Sequence, residues 1–282
     1  MSVWCDALLS GIMRILFDNT TCDMTSTLVF DIETVPDING LRILHELDAS
    51  VSDWEVAEMA FQQRRQLNGS DFMPHHLQRV VAISCVLREG EHFKVWSLGE
   101  IDEEEGGLIQ RFFDGIEKYT PQLVSWNGGG FDLPVLHYRG LIHGVQGARY
   151  WDMGEDDREF KWNNYINRYH LRHIDLMDLL ALYTGRANAP LDELTRLMGF
   201  PGKQGMDGGQ VWEAYQQGKL AEIRNYCETD VVNTYLVYLR FQLMRGILNR
   251  ESYRKECALV RAELSRFDGA HWPPFLAAWT AV

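Results

Sequence analysis

The sequence predicts a single α/β domain, and three observations lead to it. Short β-branched, apolar segments alternate with longer segments of helical periodicity, in the order β, helical insertion, ββ, α, β, α, β, α. The chain has 282 residues, 46% of them hydrophobic, which is enough for one large domain or two small ones. No repeat, low-complexity linker or clear boundary divides it. We therefore expect one domain with an insertion after the first strand.

Composition limits the possible functions. The formal net charge of −13 argues against broad neutralisation of duplex phosphates, although a short single-stranded end could still bind in a local groove. The five cysteines are scattered and never in C-x-x-C spacing, which is typical of reduced thiols in a cytoplasmic protein and not of a zinc site or disulfide framework. They are Cys5, Cys22, Cys85, Cys227 and Cys257.

The first 25 residues are predicted to be a peripheral N-terminal extension. Ser2–Phe17 is apolar, but it has no basic start and is interrupted by Asp6 and Arg14, so it resembles neither a secretion signal nor a membrane span. We expect no association with a membrane. Met24 is a candidate for the natural first residue.

The first predicted strand, Thr27–Thr34, ends just before Pro36. Because side chains alternate along a strand, Asp31 and Glu33 leave one face while Ile32 leaves the other. Adjacent carboxylates repel each other, and a hard cation such as Mg²⁺ or Mn²⁺ removes that repulsion. An isolated Asp-x-Glu is more simply explained as two solvated acids, and both interpretations stay open at this point.

A helical insertion and a hairpin follow. Residues 39–68 have helical periodicity, clearest after the possible N-caps Ser52 and Asp53. Residues 79–88 and 92–98 predict a β-hairpin. The next helix is expected at 102–119, with the acidic run at its start forming a first turn that complements the helix dipole and not a metal site.

A second strand-to-loop junction lies at residues 122–134. A strand is expected at 122–126, and three glycines after Asn127 permit a tight turn and close approach of a ligand. Asp132 precedes Leu133-Pro134, so it could merely cap the following helix. No phosphate-binding P-loop or dinucleotide fingerprint occurs here.

Cationic and aromatic residues alternate in Lys161–His173, a mixture that suits single-stranded nucleic acid. An amphipathic helix explains the same pattern equally well. A short edge strand is expected at 173–176, with Asp175 and Asp178 as helix caps. In the loop after the helix predicted at 190–198, Lys203 could meet a phosphate or simply be solvated.

The clearest helix is predicted at Lys219–Tyr238. Tyr226 and Asp230 are four residues apart, so they project to the same side of it. Four carboxylates converging in one pocket would be untenable without cations, whereas two divalent ions would suit in-line displacement at phosphorus.

At this point the sequence resembles the DEDDy 3′–5′ exonucleases, in particular predicted exonucleases related to the proofreading domain of family-B DNA polymerases. Three motifs occur in the family's order: Asp31-Ile32-Glu33-Thr34, Asn127-x-x-x-Phe131-Asp132 and Tyr226-x-x-x-Asp230. The similarity extends from about Thr27 to Arg245. It implies a ribonuclease H-like fold, with a mixed five-stranded sheet flanked by helices. The domain is then expected at 26–250, with a helical extension at 251–282.

The resemblance also implies roles for individual residues. Asp31 would bridge two Mg²⁺ or Mn²⁺ ions, Glu33 and Asp230 would hold the ion on the nucleophile side, and Asp132 would hold the other ion largely through water. Tyr226 would orient the attacking water. The backbone at Ile32 and Thr34 would touch the terminal 3′ hydroxyl, whereas Asn127 and Phe131 would shape the loop beside it.

The function expected from these residues is removal of nucleotides from the 3′ end of single-stranded DNA or RNA. Two alternatives remain at the level of the sequence. One is a nucleic-acid-binding module of the same fold without turnover, although none of the four acids is missing. The other is an endonuclease or small-molecule phosphodiesterase with the same metal site.

Overall fold

The computed structural model describes residues 26–281, so the predictions for residues 1–25 lie outside the described part of the chain. A five-stranded sheet forms the centre, in the order β3-β2-β1-β4-β5. β1 pairs antiparallel with β2 and parallel with β4, which makes the sheet mixed, as predicted. The strands are β1 (Thr27–Pro36), β2 (Gln78–Glu89), β3 (His92–Ser97), β4 (Gln122–Ser125) and β5 (His173–Asp175).

Helices cover both faces of the sheet. They are α1 (Ile38–His45), α2 (Asp53–Asn68), α3 (Glu105–Tyr119), α4 (Asp132–His143), α5 (Ala148–Trp151), α6 (Leu176–Leu180), α7 (Leu191–Leu197), α8 (Val211–Gln216), α9 (Leu220–Met244), α10 (Arg250–Leu264) and α11 (Trp272–Ala278). Single 3₁₀ turns occur at His75–Leu77, Arg158–Lys161, Gly185–Ala187 and Gly208–Gln210.

Alternation along β1 separates two cores, as the sequence predicts. Phe30 and Ile32 pack with the apolar faces of α3 and α4. Val29 packs on the opposite face with α9 and with the C-terminal helices α10 and α11. Asp31 and Glu33 share the face of Val29, so they point toward the side of the sheet that α9 covers.

The insertion after β1 contains two helices, α1 and α2. Ser52 caps α2 in a capping box with Glu55, which fixes its start at one of the two predicted N-caps. Gly69 ends the helix in the left-handed conformation. The same helix therefore begins and ends where the sequence signals indicate.

One local prediction is wrong, and two alternatives that the sequence left open do not hold. The acidic run does not form a helical first turn, because α3 begins only at Glu105, whose buried carboxylate pairs with Arg139. Asp132 is not an N-cap: Phe131 occupies that position, and Asp132 is the first helical residue. Residues 162–172 form no helix, so the amphipathic helix, one of the two explanations left open for this segment, does not hold; the buried Tyr165 in this segment donates a hydrogen bond to the Pro121 carbonyl.

The described residues contain no helix that is long and apolar enough to cross a membrane.

Candidate functional site

The first two acids of the site lie at the carboxyl end of β1. This strand is the middle strand of the sheet, and its pairing with β2 shifts register between Glu33 and Thr34. Glu33 is buried at 8% exposure, and Asp31 is partly buried. The fold thus holds two carboxylates in positions that are costly for charged groups unless something compensates them.

Asp132 reaches the same place from the next parallel strand. Its Oδ1 accepts a hydrogen bond of 3.1 Å from the backbone N–H of Ile32, which ties the start of α4 to the end of β1. This contact joins residues 100 positions apart in the chain. Asp132 therefore lies at the acidic end of β1 and is more than a helix cap.

The glycine-rich loop between β4 and α4 makes that contact possible. Asp175 accepts hydrogen bonds from the backbone N–H groups of Asn127 and Gly129, at 3.0 and 2.8 Å. A Cβ atom at Gly128 would overlap the side chain of Ser125, so only glycine fits there. Asp175 also caps α6, as predicted, because its side chain accepts hydrogen bonds from the backbone N–H groups of Met177 and Asp178. It therefore holds both the glycine-rich loop and the start of α6.

The last two predicted site residues lie on α9. Tyr226 and Asp230 are both buried on the side of this helix that meets β1. The Asp230 Oδ1 atom is buried and has no hydrogen-bond partner among the described residues. A buried carboxylate oxygen that accepts no hydrogen bond and lies beside other carboxylates is suited to bind a cation.

The charges of Asp132 and Asp230 act on both Asp31 and Glu33, so the four acids lie close together. Burial, followed by the charges of Asp132 and Asp230, raises the pKa of Asp31 well above its usual value. Burial and the charges of Asp31 and Asp230 do the same to the pKa of Glu33. Burial raises the pKa of Asp132 to about 7 and that of Asp230 to about 6. The sequence-predicted acids thus meet in one cluster, and their oxygen donors fit hard divalent cations.

Tyr226 stands beside the cluster as a neutral hydroxyl. Burial, together with the charges of Asp230, Glu33 and Asp31, raises its pKa above the ordinary value. A phenol in this environment stays protonated at neutral pH. It can donate or accept a hydrogen bond, but it cannot serve as a base.

Lys203 lies at the site, whereas the sequence left open whether it would meet a phosphate or be solvated. Its Nζ donates to the Tyr226 hydroxyl at 2.5 Å and lies 3.7 Å from Asp230 Oδ2. Its charge lowers the pKa of Asp31, Glu33 and Asp230, although burial outweighs that effect. Lys203 is therefore a cation directed into the acidic cluster. A single lysine in a glycine-rich loop gave no signal of this placement.

Cys227 is the second residue that sequence reasoning missed. Its Sγ lies 3.4 Å from the Asp31 carbonyl oxygen and 3.6 Å from Asp31 Oδ2. The possible ligand atoms of Asp31, Glu33 and Cys227 all lie within 4.8 Å of one another. Burial and the two carboxylate charges raise the pKa of this thiol, however, so it stays protonated. A protonated thiol donates to Asp31 and is a poor metal ligand.

The residues expected near the substrate occupy the rim of the cluster. Ile32 and Thr34 line a cleft that opens beside Glu33, together with the ring of Phe131. Asn127 adopts the left-handed conformation, with φ of 66°, which asparagine tolerates better than most residues. Its place is in the turn, as expected for a residue that shapes the loop.

Other candidate residues stay away from the cluster or have structural partners. Glu103 bonds Arg111, and Glu105 belongs to a buried network with Arg139. In the segment 161–173, Arg168 pairs with Asp178, and Arg172 lies 4.0 Å from the centroid of the Phe160 ring. These partners account for much of the cationic and aromatic pattern without a ligand.

Comparison with known proteins agrees with the resemblance noted from the motifs. A family model described as a predicted 3′–5′ exonuclease related to the exonuclease domain of PolB matches residues 70–279. The mixed five-stranded sheet flanked by helices is consistent with the ribonuclease H-like fold expected for it. The matched region contains Asp132, Tyr226 and Asp230 and begins after Asp31 and Glu33, which the fold brings to them. A search of curated proteins found no match.

Proposed function

The chain belongs to the family of predicted 3′–5′ exonucleases related to the exonuclease domain of PolB, and from this premise we propose that it is a metal-dependent 3′–5′ exonuclease acting on single-stranded nucleic acid in the cytoplasm. One observation carries the proposal. Carboxylates from β1, α4 and α9 converge, so that burial and the charges of the other acids raise the pKa values of Asp31 and Glu33, and a buried oxygen of Asp230 has no hydrogen-bond partner among the described residues. Such a cluster is stable in its ionised form only with cations.

The donor set fits two hard divalent ions, Mg²⁺ or Mn²⁺. When bound, they supply an activated water and stabilise the charge that develops on the departing 3′ oxygen. Asp31 would hold both ions, Glu33 and Asp230 the ion on the nucleophile side, and Asp132 the other ion through water. The backbone N–H of Ile32 already orients the Asp132 carboxylate for this task.

Tyr226 positions the attacking water. Its raised pKa keeps the hydroxyl protonated, so its contribution is orientation and not removal of a proton. Lys203 holds the Tyr226 hydroxyl through its Nζ atom. It therefore fixes the direction in which the oxygen lone pairs of Tyr226 are available.

Digestion of labelled oligonucleotides tests the proposal. Single-stranded DNA or RNA with a free 3′ hydroxyl should be shortened stepwise from that end in Mg²⁺ or Mn²⁺ and should survive in a chelator. The same strands with a 3′-terminal phosphate block should resist digestion. Asp31→Ala should abolish cleavage, whereas Asp102→Asn, an exposed acid outside the cluster, should not change it.

Three outcomes contradict the proposal in different ways. Cleavage of blocked or circular strands would indicate an endonuclease. Binding without any metal-dependent cleavage would indicate a nucleic-acid-binding module of the same fold. Full activity of Asp31→Ala would place the reaction elsewhere in the protein.

A further inference from the structure

A second polar contact joins α4 to the end of β1, seven residues after Asp132. Arg139 lies on α4 and donates from Nη1 to a carboxylate oxygen of Asp37, the residue that follows β1. Seven residues turn a helix through about 700°, which is about 20° short of two full turns, so Asp132 and Arg139 lie on the same face. This face of α4 is therefore attached to the end of β1 at two places, about 10 Å apart along the helix.

Arg139 also attaches α4 to two further elements. Its Nε and Nη2 atoms donate to the two carboxylate oxygens of Glu105, the first residue of α3, at 2.8 and 2.5 Å. Its Nη1 atom donates to the His76 carbonyl at 3.1 Å, just before β2. Glu105 in turn accepts a hydrogen bond of 2.8 Å from the backbone N–H of Val80, in β2. One guanidinium group thus links α4 to β1, β2 and α3.

This network is buried, and stability alone does not explain it. The side chains of Arg139 and Glu105 are exposed at only 3% and 4%, and that of Asp37 at 13%. Buried ions gain little over well-packed apolar side chains of similar volume, because each ion loses its hydration. The contacts of a guanidinium with carboxylates are directional, however, whereas the apolar contacts of Leu133 and Leu136 on the same helix are not. The network therefore fixes the rotation and the axial position of α4.

The position of α4 determines where Asp132 presents its carboxylate. Asp132 is the first residue of the helix, and its Oδ1 atom lies 3.1 Å from the Ile32 nitrogen. A helix shift that lengthened this distance by about 1 Å would take the two atoms out of hydrogen-bond range. A misplacement of about 1 Å in an active site can lower the rate by about 10²-fold.

We propose that Arg139 is a positioning residue of the active site, which acts through α4 to hold Asp132 where it meets its cation. The inference rests on the proposed function and adds to it a residue that none of the three motifs contains. Arg139 lies two helical turns from Asp132, so its effect on the reaction passes through the helix. Its removal should displace the Asp132 carboxylate before it unfolds the protein.

Amide hydrogen exchange measures the placement of Asp132 directly. The exchange rate of the Ile32 N–H, followed by NMR in Mg²⁺, reports its hydrogen bond to Asp132. Arg139→Met should accelerate exchange at Ile32 by about 10-fold or more relative to the other amides of β1, as expected for losing a hydrogen bond to a charged group. Arg139→Lys keeps the charge but not the two-pronged contact with Glu105. It should give a smaller acceleration, and it keeps the test available if the methionine variant does not fold.

Arg88→Met is the matched control. Arg88 is also buried, at 8% exposure, and it makes a two-pronged contact with Glu256 at 2.8 and 2.7 Å, but it joins β2 to α10. Both methionine variants should be less stable in urea, because each leaves a buried carboxylate without its partner. Only Arg139→Met should change the exchange of Ile32 relative to the rest of β1.

Cleavage kinetics give the second readout. In Mg²⁺, Arg139→Met should lower kcat by about 10²-fold, whereas Arg88→Met should leave it within a few-fold of the wild type. Equal changes in the two variants, or unchanged exchange of Ile32 in Arg139→Met, would overturn the positioning role and leave the nuclease proposal intact. A wild type without metal-dependent cleavage would refute the nuclease proposal, whatever the exchange at Ile32 shows.

Discussion

Replacing Asp230 with asparagine should stabilise the metal-free protein while abolishing its activity. The folded protein holds the pKa of Asp230 at about 6, compared with an ordinary value of 3.8. Each unit of pKa difference corresponds to about 1.4 kcal/mol. Ionised Asp230 therefore lowers the free energy of unfolding by about 3 kcal/mol at pH 8, and an asparagine of the same shape removes that penalty.

The pH dependence gives the prediction its direction. Because the folded pKa lies above the ordinary one, the folded protein keeps the proton at pH values where the unfolded chain has released it. The stability contributed by the protonated group is complete below pH 4 and is lost as the pH rises through about 6. The advantage of Asp230→Asn should thus be about 3 kcal/mol at pH 8 and less than about 1 kcal/mol at pH 4.

Urea denaturation in the presence of a chelator measures both values, and Asp102→Asn serves as a matched control at an exposed site. Adding Mg²⁺ should stabilise the wild type, by about 2.7 kcal/mol at a hundred times its dissociation constant, and should stabilise the variant much less. If Asp230→Asn is no more stable than the wild type at pH 8, the conclusion that ionised Asp230 destabilises the metal-free protein is refuted. Undiminished cleavage by Asp230→Asn would refute the assignment of Asp230 to the catalytic site.

Three further substitutions separate the roles of the neighbouring residues. Tyr226→Phe should slow cleavage by about 10²-fold, the cost of misplacing a reacting group by about 1 Å, while stabilisation by Mg²⁺ in a urea titration stays unchanged; loss of that stabilisation would make Tyr226 part of the cation site. Cys227→Ser should keep cleavage within a few-fold and keep its dependence on Mg²⁺ or Mn²⁺, because the thiol is protonated; zinc-dependent cleavage by the wild type that is lost in the variant would contradict this. Lys203→Met should destabilise the metal-free protein by at most about 1 kcal/mol at pH 8, since the lysine is partly exposed, and by less at pH 4, where Asp230 is protonated; equal losses at both pH values would indicate packing alone.

The sequence determined most of the elements and which acids are candidates for the site. Alternation in β1 is a local property of the chain, so it correctly placed Asp31 and Glu33 together on one face. Helical spacing did the same for Tyr226 and Asp230, and the cap at Ser52 fixed the start of α2. Periodicity and capping depend on residues within one turn or two, and a sequence displays those relationships directly.

Only the tertiary structure decided what surrounds those acids. The hydrogen bond from Ile32 to Asp132, the reach of Lys203 to Tyr226 and the contact of Cys227 with Asp31 join residues from 23 to 196 positions apart. The position of α2 across the cleft from Glu33 is likewise set by the tertiary structure. Such contacts depend on how helices and loops pack across the sheet, and no local pattern of residues specifies that packing.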